Sequence, residues 1–128
     1  MPAFSARLRW GSPEAIDGSL AFTSQPFAEG ATIAGPISGA GGVNISSGAG
    51  NTNSVVFEGS TANTYAGTTT VDSGVLLLNK TASDGAIPHD LLINGGMVRN
   101  LKPSQIDNQA NVTIGAAGKL DLSDSTTV

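Results

Sequence analysis

The sequence predicts an all-β chain wound into a parallel β-helix, or β-solenoid, and three observations carry that expectation. A strand, turn and strand layout occurs at 63–78 and returns at 90–99 and 111–122. Aligned on their turns, the copies place Thr69, Leu91 and Val112 in one column, Val71, Ile93 and Ile114 in a second, and Leu76, Val98 and Leu120 in a third, with steps of 21 or 22 residues. A fixed period in the low twenties with matching apolar columns means that each copy is one coil, unable to bury its inner face until a neighbour stacks on it. The composition agrees: 17 Gly, 39% hydrophobic but only 5% aromatic residues, and 12% charged. That mixture suits short strands and tight turns with small side chains where coils lie close. No window sustains apolar residues at helical spacing, so almost no helix is expected.

The organising stretch is Asn63 to Leu78. Thr68 to Val71 are β-branched and favour an extended backbone, Asp72-Ser73-Gly74 supplies turn chemistry, and Val75 to Leu78 form a second apolar run. Upstream, Ile33, Ile37, Val43 and Ile45 are candidate inward residues around a glycine-rich corner at 39–42, and Val55 and Phe57 share one face of a strand. Lys80 to His89 reads as a polar loop and Leu101 to Gln109 as a second excursion. Residues 1–30, with Leu8, Trp10, Ile16, Leu20, Phe22 and Phe27 between turn-forming clusters, are expected to form an irregular N-terminal coil or partial coil; 31–128 is the β-helix repeat region. After the third copy the apolar alternation has not run down into a polar cap, so the chain is expected to be a fragment of a longer array, rising roughly 4.8 Å per coil over about four to six coils. The rival fold is an antiparallel sandwich, which ladder contacts between residues 22 apart would exclude.

The residues from Ile37-Ser-Gly-Ala-Gly-Gly-Val through Gly48-Ala-Gly-Asn, Val56-Phe-Glu-Gly-Ser and Asn63-Thr-Tyr-Ala-Gly-Thr-Thr-Thr-Val-Asp-Ser-Gly resemble the autotransporter-associated β-strand repeat, also called the passenger-associated transport repeat. The resemblance covers Ile37 to about Leu78; residues 1–30 carry little of it. It implies a right-handed parallel β-helix in the passenger domain of a secreted, cell-surface protein of the bacterial outer membrane. There the repeat supports export and display together with a membrane barrel translocator. The expected function is therefore structural and not enzymatic, with adjacent coils of a longer parent chain as partners. An adhesin-type module for host glycan or protein is the alternative, followed by a polysaccharide-active β-helix enzyme.

Composition narrows the remaining classes. A net charge of −4 and only six Lys and Arg give no basic patch, so no nucleic acid partner is expected. The sequence contains no Cys, which removes disulfides and thiolate chemistry. No apolar run approaches the roughly 20 residues of a membrane-spanning helix, and the N-terminal decapeptide has two arginines without a following apolar region, so it does not read as a signal peptide.

No catalytic, metal or cofactor residues are assigned. His89, the single histidine, follows a proline on a loop and reads as solvated, without a nucleophile elbow nearby. The carboxylates Glu14, Asp17, Glu29, Glu58, Asp72, Asp84, Asp90, Asp107, Asp121 and Asp124 read as turn formers and solubilising charges. Asp72 falls opposite Asn94 in the alignment and Asp121 opposite Arg99, so no acid pair is set up. The segment at 39–44 lacks the aspartate and the nine-residue repeat of a calcium-binding nonapeptide. Tyr65, the single tyrosine, is expected against a corner of the coil with its hydroxyl hydrogen-bonded, the alternative being a sugar-stacking platform. Asn63 and Asn94 are expected to serve an asparagine turn or ladder. The bulk of the specification lies in the inward columns Val71, Ile93, Ile114 and Leu76, Val98, Leu120, with Gly67 and Gly74 at corners.

Overall fold

The structure, a computed structural model, describes residues 8–10, 14–15, 20–22, 31–46, 54–83 and 85–122. Within them lie strands β1 (Leu8–Trp10), β2 (Glu14–Ala15), β3 (Leu20–Phe22), β4 (Ala31–Ile33), β5 (Ile37–Ser38), β6 (Val43–Ser46), β7 (Ser54–Gly59), β8 (Thr69–Ser73), β9 (Val75–Lys80), β10 (Leu91–Ile93), β11 (Met97–Asn100), β12 (Val112–Ile114) and β13 (Lys119–Asp121), and the described residues contain no helix. Ile16 and Phe27, read as apolar positions of the first coil, lie outside them.

Strands adjacent in sequence go to different sheets, and strands one coil apart pair. The first sheet runs β1-β4-β7-β9-β11-β13, the second β3-β6-β8-β10-β12, and β2 pairs with β5 on a third wall. All these pairings are parallel. The fold is therefore a parallel β-helix, and the antiparallel sandwich is excluded.

The three sequence columns are the observed register: Thr69, Leu91 and Val112 are neighbours, as are Val71, Ile93 and Ile114, and Leu76, Val98 and Leu120. The columns extend upstream through Val43 and Ile45 in one sheet and Val55 in the other. Because successive strand residues face opposite sides, strands β5 to β11 bury alternate positions: Val55 and Phe57, Leu76 and Leu78, Leu91 and Ile93 are enclosed while their strand neighbours Val56, Leu77 and Leu92 are half-exposed. Ile33, Ile37, Val43 and Ile45 occupy the same core.

Two glycines at corners answer to geometry. Gly74, between β8 and β9, has φ +87°, a conformation in which a Cβ is strained. At Gly67 the constraint is proximity, since a Cβ there would sit 2.6 Å from the Gly42 nitrogen of the coil beneath. The backbones nest at that corner, with Ala66 N donating to Gly39 O at 2.9 Å and Gly67 N to Gly41 O at 3.0 Å.

Two expectations need correction. Lys80 to His89 is not simply a polar loop, because Lys80, Ala86 and Ile87 are buried; nor is Leu101 to Gln109 only an excursion, because Gln105 and Ile106 are buried too. These residues build the third wall. Ile87 bridges Ile106 in parallel, and Ala86 N and Ile87 N both donate to Gln105 O, at 3.0 and 2.9 Å. The wall was hidden because it uses two residues per coil between turn formers, too few for an alternation to show. The second correction concerns Ile114: it is aligned under Ile93 as expected but is 48% exposed, since β12 is the last strand of its sheet among the described residues.

Column depth thus sets the cost of truncation. Ile93→Ala, at a site with no exposure and a stacked residue on each side, is expected to lose about 2–5 kcal/mol in urea unfolding, whereas the same change at Ile114 should cost under about 1 kcal/mol.

Candidate functional site

The chemistry-bearing residues fall into two groups, one inside the corners and one on the outside. Inside, the strand ladder is interrupted at each turn, and the backbone groups there need other partners. Side-chain amides, which carry donor and acceptor together, replace the missing rung. Asn63 accepts from Ile37 N through Oδ1 at 2.8 Å and donates through Nδ2 to Ala86 O at 2.9 Å, so one buried amide ties the coil below to the coil above. Gln105 does the same for a single residue: its Oε1 accepts from Lys80 N at 2.8 Å and its Nε2 donates to Lys80 O at 2.7 Å.

Lys80 itself points inward, in the alternating series Leu76, Leu78, Lys80, and is only 1% exposed. Its ammonium donates to Glu58 O and Thr61 O, each at 2.9 Å, and more weakly to Gly35 O at 3.4 Å. Burial disfavours the charged form and pulls its pKa down from the ordinary 10.5 to about 8, the Glu58 carboxylate acting in the opposite direction. Sequence reading passed over Lys80 and Gln105. The alternation of β9 did contain a signal for Lys80, which lies two residues beyond Leu78.

Tyr65 lies fully inside, and its hydroxyl is hydrogen-bonded to the buried Thr69 hydroxyl. Burial raises its pKa well above the ordinary 10, more than the hydrogen bond lowers it. The corner packing expected for Tyr65 is what is found, and its ring is unavailable as a glycan platform.

Outside, the described carboxylates are distributed along the stack. Asp72 accepts from Asn94 Nδ2 at 2.7 Å through Oδ1 and from Asn44 Nδ2 at 3.3 Å through Oδ2, an Asn-Asp-Asn ladder across three coils. Asp90 accepts from Asn111 N at 3.0 Å, one coil on, and Asp107 from Gln109 N at 2.7 Å within its own turn. Asp121 sits beside Arg99, its register neighbour, with Nε to Oδ2 3.9 Å. Asp72 and Asp121 belong to different sheets, so they do not form an acid and base pair. Asp17, Glu29, Asp84 and Asp124 lie outside the described residues. The 39–44 segment gives its Asn44 amide to Asp72, and no group of three or more potential metal ligands occurs among the described residues.

His89 is exposed and borders a depression with Pro88, Asp90, Asp107, Gln109 and Ala110. That lining contains an imidazole and two carboxylates and no hydroxyl or thiol side chain. The side-chain hydrogen bonds of Asn63, Gln105, Lys80, Asp72 and Asp90 join coil to coil, whereas that of Asp107 stays within its turn. Comparison with family models, with curated proteins and with solved structures finds no match for the chain.

Two measurements probe the interior. Asn63→Ala leaves a buried donor and a buried acceptor without their partner and is expected to cost about 2–5 kcal/mol in denaturant unfolding. The pH dependence follows from Lys80 and Tyr65. Below pH 8 both folded and unfolded chains hold the Lys80 proton, and the burial penalty applies in full. Between about 8 and 10.5 the unfolded chain retains a proton that the folded chain has released, so stability rises with pH. Above the ordinary tyrosine value of 10 the sign reverses, because the unfolded chain loses the Tyr65 proton that the folded chain keeps. Chemical unfolding from pH 7 to 11 should show an alkaline maximum near pH 10. A Lys80→Met variant should lack the rise, which amounts to on the order of 2 kcal/mol.

Proposed function

We propose that the chain is a structural β-helix segment of a bacterial autotransporter passenger, which supports export and surface display and performs no catalysis. The observation that carries this reading is the serial character of the stack. Among the described residues each strand pairing goes to the coil before or after it, at separations of 19 to 27 residues. A chain of this kind folds by adding one coil to the last, with each addition burying one more inner layer. For a passenger emerging from a membrane barrel, every coil formed outside opposes return through the pore. The resemblance over Ile37 to Leu78 supports the same reading, as does the assignment of the described carboxylates to turn and inter-coil contacts.

Fusing the chain between an export signal and an outer-membrane barrel in a Gram-negative host tests it. An N-terminal epitope should become accessible to antibody on intact cells. Val71→Asp, which puts a charge in the central column and should prevent stacking, is expected to reduce that signal severalfold at equal synthesis. Equal display by both chains, with stacking of the variant shown to be lost by circular dichroism, would overturn the proposal.

A further inference from the structure

The corner between β10 and β11 brings together three features that the architecture does not need in combination. Asn94 and Gly95 form the sole Asn-Gly dipeptide of the sequence. Asn94 is exposed. The residue after it is glycine for a steric reason, since a Cβ at position 95 would lie 2.6 Å from the Asp72 carbonyl oxygen of the preceding coil. Close stacking therefore places an amide nitrogen with no Cβ beside it next to an asparagine side chain. That nitrogen is also loosely held: Asn94 N and Gly95 N share the Val71 carbonyl, at 2.9 and 3.3 Å.

We propose that Asn94 is a spontaneous deamidation site, and that its product loosens the contact between the coils carrying β8 and β10. The Gly95 nitrogen attacks the Asn94 side-chain carbonyl carbon and forms a C–N bond as its proton passes to hydroxide. The bond to Nδ2 breaks, and that nitrogen takes a proton from water, regenerating hydroxide, and departs as ammonia. Water then opens the five-membered succinimide at either carbonyl, leaving aspartate or isoaspartate at position 94. Both products replace the amide that now donates to Asp72 Oδ1 at 2.7 Å with a second carboxylate, turning a charge-assisted hydrogen bond into like-charge repulsion. The isoaspartate form also lengthens the backbone by one methylene just before β11, whose Met97 must lie in register over Val75. The corner thus changes with age from a link between coils into a point of separation.

Incubating the full chain at mildly acidic and mildly alkaline pH, with intact-mass measurement and peptide mapping, tests the chemistry. The expected result is a gain of one mass unit that maps to Asn94, is faster at alkaline pH, and outpaces every other asparagine severalfold. No gain at Asn94, or equal gain at other asparagines, overturns the assignment. The consequence is tested separately with Asn94→Asp, expected to melt a few degrees below wild type. Asp72→Asn combined with Asn94→Asp restores an amide opposite a carboxylate and should recover most of that loss. An Asn94→Asp chain that melts with wild type, or a double variant that recovers nothing, overturns the loosening through Asp72.

Discussion

Backbone pairing between parallel strands one coil apart is the constraint on which the rest of the molecule depends. A parallel strand cannot pair with its sequence neighbour through a tight turn, so every rung has to be closed by a full circuit of the chain. That requirement makes each circuit a coil, and the length of the circuit decides which residues meet. Once Val71 lies over Ile93, alternation decides that both face inward and that Asp72 and Asn94 come together on the outside. The core and the external ladder are two faces of one register.

The corners are where this arrangement strains local rules. The sheets satisfy their own donors and acceptors, but the turns between them leave backbone groups enclosed. Buried polar groups are costly unless paired. The chain meets the need with side chains placed inside: Asn63 and Gln105 stand in for rungs of the ladder, and Lys80 gathers three carbonyls. An ammonium is an expensive group to place there, as its lowered pKa records. Its three donors nevertheless satisfy the carbonyls of Gly35, Glu58 and Thr61.

Most of the fold was legible in the sequence because its signal is repeated. Three columns recurring at the same step are hard to mistake, and the observed register reproduces each of them. The third wall was not legible, since Ala86-Ile87 and Gln105-Ile106 are pairs of residues inside stretches otherwise made of turn formers. Lys80 was missed because lysine at a strand end is ordinarily solvated, and only strict alternation from Leu76 marks it as inward. Ile114 shows the complementary limit. Pattern gives a residue's direction, whereas burial depends on what lies above it.

The circuits are not all of one length: 26 residues separate Val43 from Thr69, against 22 from Thr69 to Leu91. The strands they join nevertheless pair in parallel, so the stack tolerates circuits of unequal length. Such a scaffold accepts foreign loops where it bends and refuses them where it runs straight, which makes its bends natural places to carry grafted epitopes at regular intervals along a column.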